Sequence, residues 1–117
     1  MDEKITITEG SGNVFADLGL PNPEERKTKA ELAYQISTII AERGLTQAQA
    51  GATLGIEQPH VSNLVRGRLS GFSVERLMSF LTQLGRDVEI VVTPKPERRE
   101  RGAITVVTRS LATSQHE

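Results

Sequence analysis

The chain has 117 residues, a formal net charge of −1 and no cysteine. This length fits one domain with a short extension, and the near-neutral charge argues against a general binder of polyanions, so any nucleic-acid contact has to be local. Aromatic residues make up only 3% of the chain, so the core has to be aliphatic and modest in size. The absence of cysteine excludes disulfides and thiolate metal sites.

The same features predict where the protein works. No apolar run approaches the roughly 20 residues that span a bilayer. The first ten residues, MDEKITITEG, lack the basic start and apolar middle of a signal peptide. A chain without cysteine also suits a reducing compartment. We therefore expect a cytoplasmic protein that contacts no membrane.

Residues 1–21 predict an N-terminal strand and turn segment. KITIT alternates polar and apolar residues as a short strand does, EGSGN is rich in turn formers, and VFADLGLP can form a single helical turn. The first 23 residues carry four acids against a single lysine. A contact with nucleic acid is therefore expected further along the chain.

A helical domain is predicted over residues 22–85, and its first helix has clear start and stop signals. Asn22 fits an N-cap, Pro23 the first helical position and Glu25 the closing position of a capping box. Gly44 ends the helix. The predicted apolar face consists of Leu32, Ile36, Ile39 and Ile40.

Two shorter helices follow. Thr46 and Gln49 repeat the capping-box pattern, so a second helix runs to about residue 54, where Gly55 can take the left-handed conformation that ends it. A third helix begins near Gln58 and ends at Gly67. Its residues predicted to face the core are Val61, Leu64 and Val65.

A fourth helix is capped by Ser73, with Phe72 and Leu77 placed to form a hydrophobic staple and Gly85 as the C-cap. Its apolar stripe consists of Val74, Leu77, Met78, Leu81 and Leu84. Residues 86–94 then predict a β-strand with one apolar face, formed by Val88, Ile90 and Val92. This strand either packs on its own domain, paired with KITIT, or pairs with a second copy across a two-fold axis.

Residues 95–117 are predicted to be a charged linker and tail. PERRER is typical of a solvated linker, with nucleic-acid contact as the alternative, and AITVV fits a further short strand. The final residues, RSLATSQHE, are expected to be disordered.

Two short helices joined by a three-residue turn that contains glycine form a helix-turn-helix unit. Gly51 is small where the two helices approach most closely, and Gly55 is the turn glycine. Apolar residues occupy the positions where two crossed helices must touch: Ala50, Leu54, Ile56, Val61 and Leu64. The caps, the turn and the core positions agree with one another.

On these residues the sequence resembles the Xre-type helix-turn-helix regulators, whose Leu-Thr-Gln, small-residue turn, Val-Ser and terminal Arg-Gly appear here as LTQAQAGATLGIEQPHVSNLVRG. With GNVFADLGLPNPEE before it and GFSVERLMSFLTQLGRDVEIVV after it, the chain is similar to the HigA-type antitoxins of bacterial toxin–antitoxin modules. The resemblance implies a mainly α, lambda-repressor-like domain of four to five helices. It also implies a homodimer whose C-terminal strand pairs across the two-fold axis.

The candidate DNA contacts lie in and beside the third helix: Gln47, Gln58, Pro59, His60, Ser62, Asn63, Arg66 and Arg68. Amide side chains pair bidentately with adenine in the major groove, and proline can meet a thymine methyl. Gln47, Arg66 and Arg68 fit contacts to the DNA backbone. The alternative is an ordinary solvated helix face. Glu57 departs from the usual Ser or Thr cap of this helix, and its carboxylate suits the positive end of the helix dipole.

We expect no catalysis, metal or cofactor. The only histidines are His60 and His116, and the sequence has no phosphate-binding glycine loop or nucleophile elbow. The resemblance implies a repressor that binds a palindromic operator in double-stranded DNA and neutralises a co-encoded RelE-like or HigB-like ribonuclease toxin. Two alternatives are a stand-alone phage or housekeeping regulator without a toxin and a protein-interaction module that no longer binds DNA.

Overall fold

The computed structural model describes residues 13–109, and this part of the chain contains five helices. They are α1 (Val14–Asp17), α2 (Pro23–Glu42), α3 (Gln47–Leu54), α4 (Gln58–Val65) and α5 (Val74–Gln83). The order agrees with the predicted short turn of helix followed by four helices. The predicted KITIT strand and most of the final RSLATSQHE segment lie outside the described residues.

Asn13 joins α1 to the start of α2. Its side-chain oxygen accepts hydrogen bonds from the backbone N–H groups of Phe15, at 2.9 Å, and Ala16, at 3.3 Å, and so caps α1. Its side-chain nitrogen donates to the carbonyl of Pro23 at 2.9 Å. Asn13 is buried, and these bonds satisfy the polar side chain in an apolar setting.

The predicted cap of α2 is wrong in its mechanism, although the helix begins at Pro23 as expected. Asn22 has a left-handed backbone with φ +50°, and its side chain makes no capping hydrogen bond. A capping residue normally has an extended backbone, which directs its side-chain oxygen towards the first free N–H groups of the helix. The left-handed turn at Asn22 therefore redirects the chain from α1 into α2 without closing a capping box.

The core is aliphatic, as the composition predicts, and α2 lies at its centre. α2 packs against α1, α4 and α5, while α3 packs against α4 and α5. The most completely buried large side chains come from α2, α4 and α5 together with the residue after α5: Ile36, Val61, Leu64, Leu77 and Leu84. The two short helices thus pack against the longer ones, α4 against α2 and α3 against α5.

Two predictions about side-chain burial are corrected by the structure. Val65 was expected to face inward but is 36% exposed, because it lies about 70° around α4 from the direction set by buried Val61 and Leu64. Phe80 was not expected in the apolar stripe of α5, yet it is buried. Its ring packs edge-on against Phe72, with 6.0 Å between the ring centroids, and this aromatic pair closes the core beneath α5.

The helix-turn-helix unit has the predicted local geometry. Thr46 and Gln49 form both hydrogen bonds of a capping box, at 2.8 and 3.0 Å, and Gly55 ends α3 with φ +74°. Gly51 occupies the closest approach. A Cβ atom at this position would lie 2.5 Å from the backbone oxygen of Ile56, so only glycine fits without a backbone shift.

After α5 the chain leaves the helical body as an arm, residues 86–109. Arg43 donates a hydrogen bond from its guanidinium to the carbonyl of Leu84, which places a cation at the C-terminal end of α5 where the helix dipole is negative. The arm has an outgoing limb (86–95), a turn (96–101) and a return limb (102–109). The limbs are joined by an ion pair between Glu89 and Arg109, with 3.0 Å between nitrogen and oxygen.

The strand predicted at residues 86–94 is not found among residues 13–109. None of the described residues forms a β-ladder, and no backbone hydrogen bond joins the two limbs within residues 86–109. Ile90 and Val92 are 76% and 90% exposed, and Val88 is 37% exposed. A strand needs a neighbour to accept its backbone hydrogen bonds, so the strand stays a prediction, with KITIT or a second copy of the chain as its partner.

Candidate nucleic-acid interface

The orientation of α4 is set by its two buried residues. Val61 and Leu64 point into the core, and successive residues of a helix are about 100° apart. The side chains that point directly away from the core, or within about 50° of that direction, form the outward face of α4. Its members are Pro59, Ser62, Asn63 and Arg66. Pro59 and Arg66 are exposed, while Ser62 and Asn63 are half-buried.

Gln58 and His60 lie on opposite flanks of α4, each roughly a quarter turn or slightly more from the outward direction. Both side chains are exposed. His60 lines a shallow hollow together with Glu57 and Arg76. The structure therefore does not bring His60 into the outward face of α4, and a contact from His60 would be made at the edge of a bound duplex.

Gln47 and Arg68 lie at the ends of the two short helices. Gln47 is the first residue of α3 and is half-buried. Arg68 follows Gly67, which has φ +79°, and its backbone N–H donates to the carbonyl of Asn63 at 2.8 Å. The expected contacts of Gln47 and Arg68 with the DNA backbone stay a prediction.

Glu57 precedes α4 in the N-cap position, with an extended backbone (φ −79°, ψ 155°). Its side chain is exposed and makes no capping hydrogen bond. The carboxylate is the only acidic group between residues 43 and 74, and it lines a hollow together with Arg76.

Arg76 was missed by the sequence interpretation. Its guanidinium carbon lies 5.3 Å from the ring centroid of Phe72 and 5.4 Å from that of Phe80, so two cation–π contacts restrain the side chain. The group lines the same hollow as Glu57 and His60, beside the start of α4. The sequence did contain a signal for these cation–π contacts, because Arg76 stands four residues from a phenylalanine on each side, which is about one helical turn.

These side chains offer hydrogen-bond donors, acceptors and cations on and beside α4. Within residues 13–109 no group of three or more histidine, aspartate or glutamate side chains is placed to hold a metal ion. Amides, hydroxyls and guanidinium groups on an exposed short helix can bind the edges of base pairs and the phosphates beside them. The arrangement of these side chains is therefore suited to binding a nucleic acid.

The comparisons with known proteins support the same interpretation. The family model described as "Helix-turn-helix domain" matches residues 14–93, which is more than half of the chain. The chain belongs to the helix-turn-helix family. A solved structure named "Putative XRE Family Transcriptional Regulator" is similar to this helix-turn-helix protein, with 50% sequence identity and a TM-score of 0.72. The similarity covers 76% of this chain and 100% of that one. No curated protein sequence matches significantly.

The shared fold confirms the Xre-type resemblance, and the family and fold are those of a DNA-binding transcriptional regulator. The matched range covers all five helices of this helix-turn-helix protein and most of the outgoing limb, and it ends before the turn and the return limb. Among the helices that the structure describes, none is long and apolar enough to cross a membrane.

Proposed function

We propose that this helix-turn-helix protein is a sequence-specific transcriptional repressor that binds a palindromic operator as a homodimer. The outward face of α4 carries the proposal, because it presents an amide, a hydroxyl and a guanidinium on a helix held by two buried aliphatic residues. A helix of this kind fits the major groove of B-DNA, where each base pair has a distinct pattern of donors and acceptors.

Each candidate contact has a role that follows from its chemistry. Asn63 and Gln58 pair with adenine, and Pro59 contacts a thymine methyl. Ser62 and His60 contribute single hydrogen bonds to a base or a phosphate. Gln47, Arg66 and Arg68 bind phosphates and fix the register of α4. Arg76, restrained by cation–π contacts with two phenylalanine rings, adds a preorganised cation at the edge of the interface.

The first test separates base recognition from phosphate binding. Asn63→Ala is expected to cost about 1–3 kcal/mol at the operator and to relax the preference at one base pair. Arg66→Ala is expected to weaken binding to all sequences alike and to reduce the salt slope by about one phosphate contact. Both are measured by titration of operator and random duplexes at several salt concentrations.

Arg98→Ala is the matched control, because Arg98 is an exposed arginine in the turn of the arm, outside the helix-turn-helix unit. It should leave affinity and salt slope unchanged. Equal losses of operator and random-sequence affinity in Asn63→Ala would contradict a role in base recognition. Unchanged affinity in both α4 variants would contradict the proposed interface altogether.

A homodimer is the second part of the proposal. One helix-turn-helix unit makes few phosphate contacts, and a dimer doubles them while placing two recognition helices about 34 Å apart, one turn of DNA. The outgoing limb supports this arrangement, since Val88, Ile90 and Val92 expose an apolar row beside unpaired backbone groups. Antiparallel pairing of two such limbs across a two-fold axis would satisfy both.

The third part is that the repressor is the antitoxin of a type II module, in which it represses its own operon and neutralises a co-encoded ribonuclease toxin of the RelE/HigB type. The support is the sequence resemblance to HigA-type antitoxins on either side of the helix-turn-helix unit. A stand-alone Xre-type regulator without a toxin is the alternative. The two differ in whether the adjacent gene encodes a basic protein of about 100 residues that binds this one.

Co-expression with the adjacent gene tests this part. We expect a complex that survives pull-down, and restored growth when both proteins are made. The Gln58→Ala, Asn63→Ala double variant is expected to lose repression and to keep growth rescue, if DNA and toxin use separate surfaces. The absence of a complex and of toxicity would instead favour the stand-alone regulator, while repression by the parent protein would remain intact.

A further inference from the structure

The return limb of the arm is held by two side chains from α2. The Lys27 ammonium donates a hydrogen bond to the carbonyl of Ile104 at 2.8 Å. The backbone N–H of Val106 donates to the Glu31 carboxylate at 3.1 Å. Both partners on the limb are main-chain groups, so these two polar contacts do not depend on the side chains of residues 104 and 106.

The two contacts match the geometry of an extended chain. In an extended segment, the carbonyl of one residue and the N–H of the second residue after it lie on the same edge. Residues 104 and 106 have this spacing. Lys27 and Glu31 are one helical turn apart and form an ion pair of 3.2 Å. They therefore present a donor and an acceptor side by side, as the edge of a neighbouring strand would.

The site is built into the body of the protein. Val106 is half-buried and packs against the core cluster beneath the two polar contacts. The side chains of Lys27 and Glu31 are only 18% and 31% exposed. The opposite end of the arm is attached as well, since Arg43 donates a hydrogen bond to the carbonyl of Leu84, the residue after α5. The arm is thus fixed to the helices at its base and again on its return limb.

We propose that Lys27 and Glu31 form a clamp that fixes the orientation of the arm relative to the helices. A dimer made through the outgoing limb then holds its two recognition helices at one fixed spacing. This inference rests on the proposed homodimer. The clamp occupies one edge of the return limb and leaves the outgoing limb free, so its own bonds do not compete with pairing to a second copy. The clamp therefore affects the spacing of the two recognition helices and not the formation of the dimer.

Preorganisation is the physical reason that the clamp matters. A dimer whose arms swing freely must lose that freedom when both recognition helices enter successive major grooves, and this loss weakens binding. It also tolerates half-sites at several spacings. A clamped dimer loses less freedom and discriminates between spacings, because it fits only one of them.

Matched variants of α2 separate the clamp from ordinary surface charge. Lys27→Met removes the donor and Glu31→Leu removes the acceptor. Lys29→Met and Glu25→Leu are the controls, because Glu25 and Lys29 form an ion pair of the same spacing on the same helix, at 3.3 Å, and no hydrogen bond joins either of them to the described part of the arm.

The first measurement is amide hydrogen exchange at Val106 in the full-length protein without DNA. We expect exchange at least about tenfold faster in Glu31→Leu than in the parent protein, and parent-like exchange in both controls. Circular dichroism confirms that the helices remain folded. Equal exchange rates in Glu31→Leu and Glu25→Leu would overturn the clamp, whatever the protein does with DNA.

The second measurement uses a palindromic duplex selected by the parent protein from random DNA, and derivatives whose half-sites are moved apart or together by one and two base pairs. The parent and the controls are expected to bind one spacing best. The clamp variants should remain dimeric and lose most of this preference. A sharp preference retained in Lys27→Met and Glu31→Leu would overturn the inference while leaving the repressor intact. A parent protein that selects no DNA would overturn the proposed function, and with it the effect on spacing.

Discussion

The Val88→Asp, Ile90→Asp double variant is expected to be a folded monomer that binds DNA weakly and with little specificity. Ile90 is largely exposed and Val88 partly so, and neither belongs to the core cluster, so the change removes no core packing. Two added carboxylates beside Glu89 would make pairing of two outgoing limbs costly, since like charges on neighbouring strands repel. Loss of the dimer halves the phosphate contacts, and the salt slope should fall to about half.

Sedimentation equilibrium, circular dichroism and DNA titration are needed on the same samples. Leu18→Asp is the control, because it replaces another exposed large apolar side chain, 69% accessible directly after α1, with the same charged residue. The control should stay dimeric and bind the operator as the parent does. A double variant that keeps its helices and remains a dimer would show that the interface lies elsewhere, with α5 as the next place to look.

The Gly51→Ala variant is expected to lose about 2 kcal/mol of stability. Its new Cβ would lie 2.5 Å from the carbonyl oxygen of Ile56, which is backbone and cannot rotate away as a side chain would. Overpacking of this kind costs about 3 kcal/mol, and the better helix propensity of alanine returns about 1 kcal/mol. For a domain of this size the melting temperature should fall by roughly 10 °C.

The DNA affinity of Gly51→Ala should fall even where the protein is fully folded, because relief of the clash moves the turn that positions α4. Gly55→Ala is the informative comparison. It also strains the backbone, with φ +74°, but a Cβ there has no atom within 4 Å. It is expected to lose about 1–2 kcal/mol of stability and to keep its operator affinity below the melting transition. Parent-like melting and binding in Gly51→Ala would mean that the turn adjusts freely.

The helices of this protein could be predicted from the sequence because their signals are local. The Thr46 and Gln49 capping box, the Ser73 cap and the glycine after α3 depend on residues within one or two helical turns, and each forms as expected. The helix-turn-helix unit was predictable for the same reason, since its caps, turn and core positions all lie within 23 consecutive residues.

The errors occurred where a distant residue determines the outcome. The capping role expected of Asn22 is absent, and Asn13, ten residues before Pro23, makes the contact that joins α1 to α2. Phe80 is buried because the Phe72 ring lies against it. Val65 is exposed because it lies about 70° around α4 from the direction of the two buried residues of that helix. Periodicity indicates which face is apolar. Only packing decides how much of it is covered.

The sequence by itself determined the type of fold, the boundaries of the helices and the candidate contacts on α4, because caps and hydrophobic spacing act over short distances along the chain. The tertiary structure decided which of those contacts share one face, that His60 stands on a flank, and that Arg76 is held beside the start of α4. It also revealed the hydrogen bonds of Lys27 and Glu31 with the backbone of residues 104 and 106, which lie more than 70 positions later in the sequence. No local signal predicts such a contact, because it joins a side chain to a backbone group and leaves no pattern of residue types.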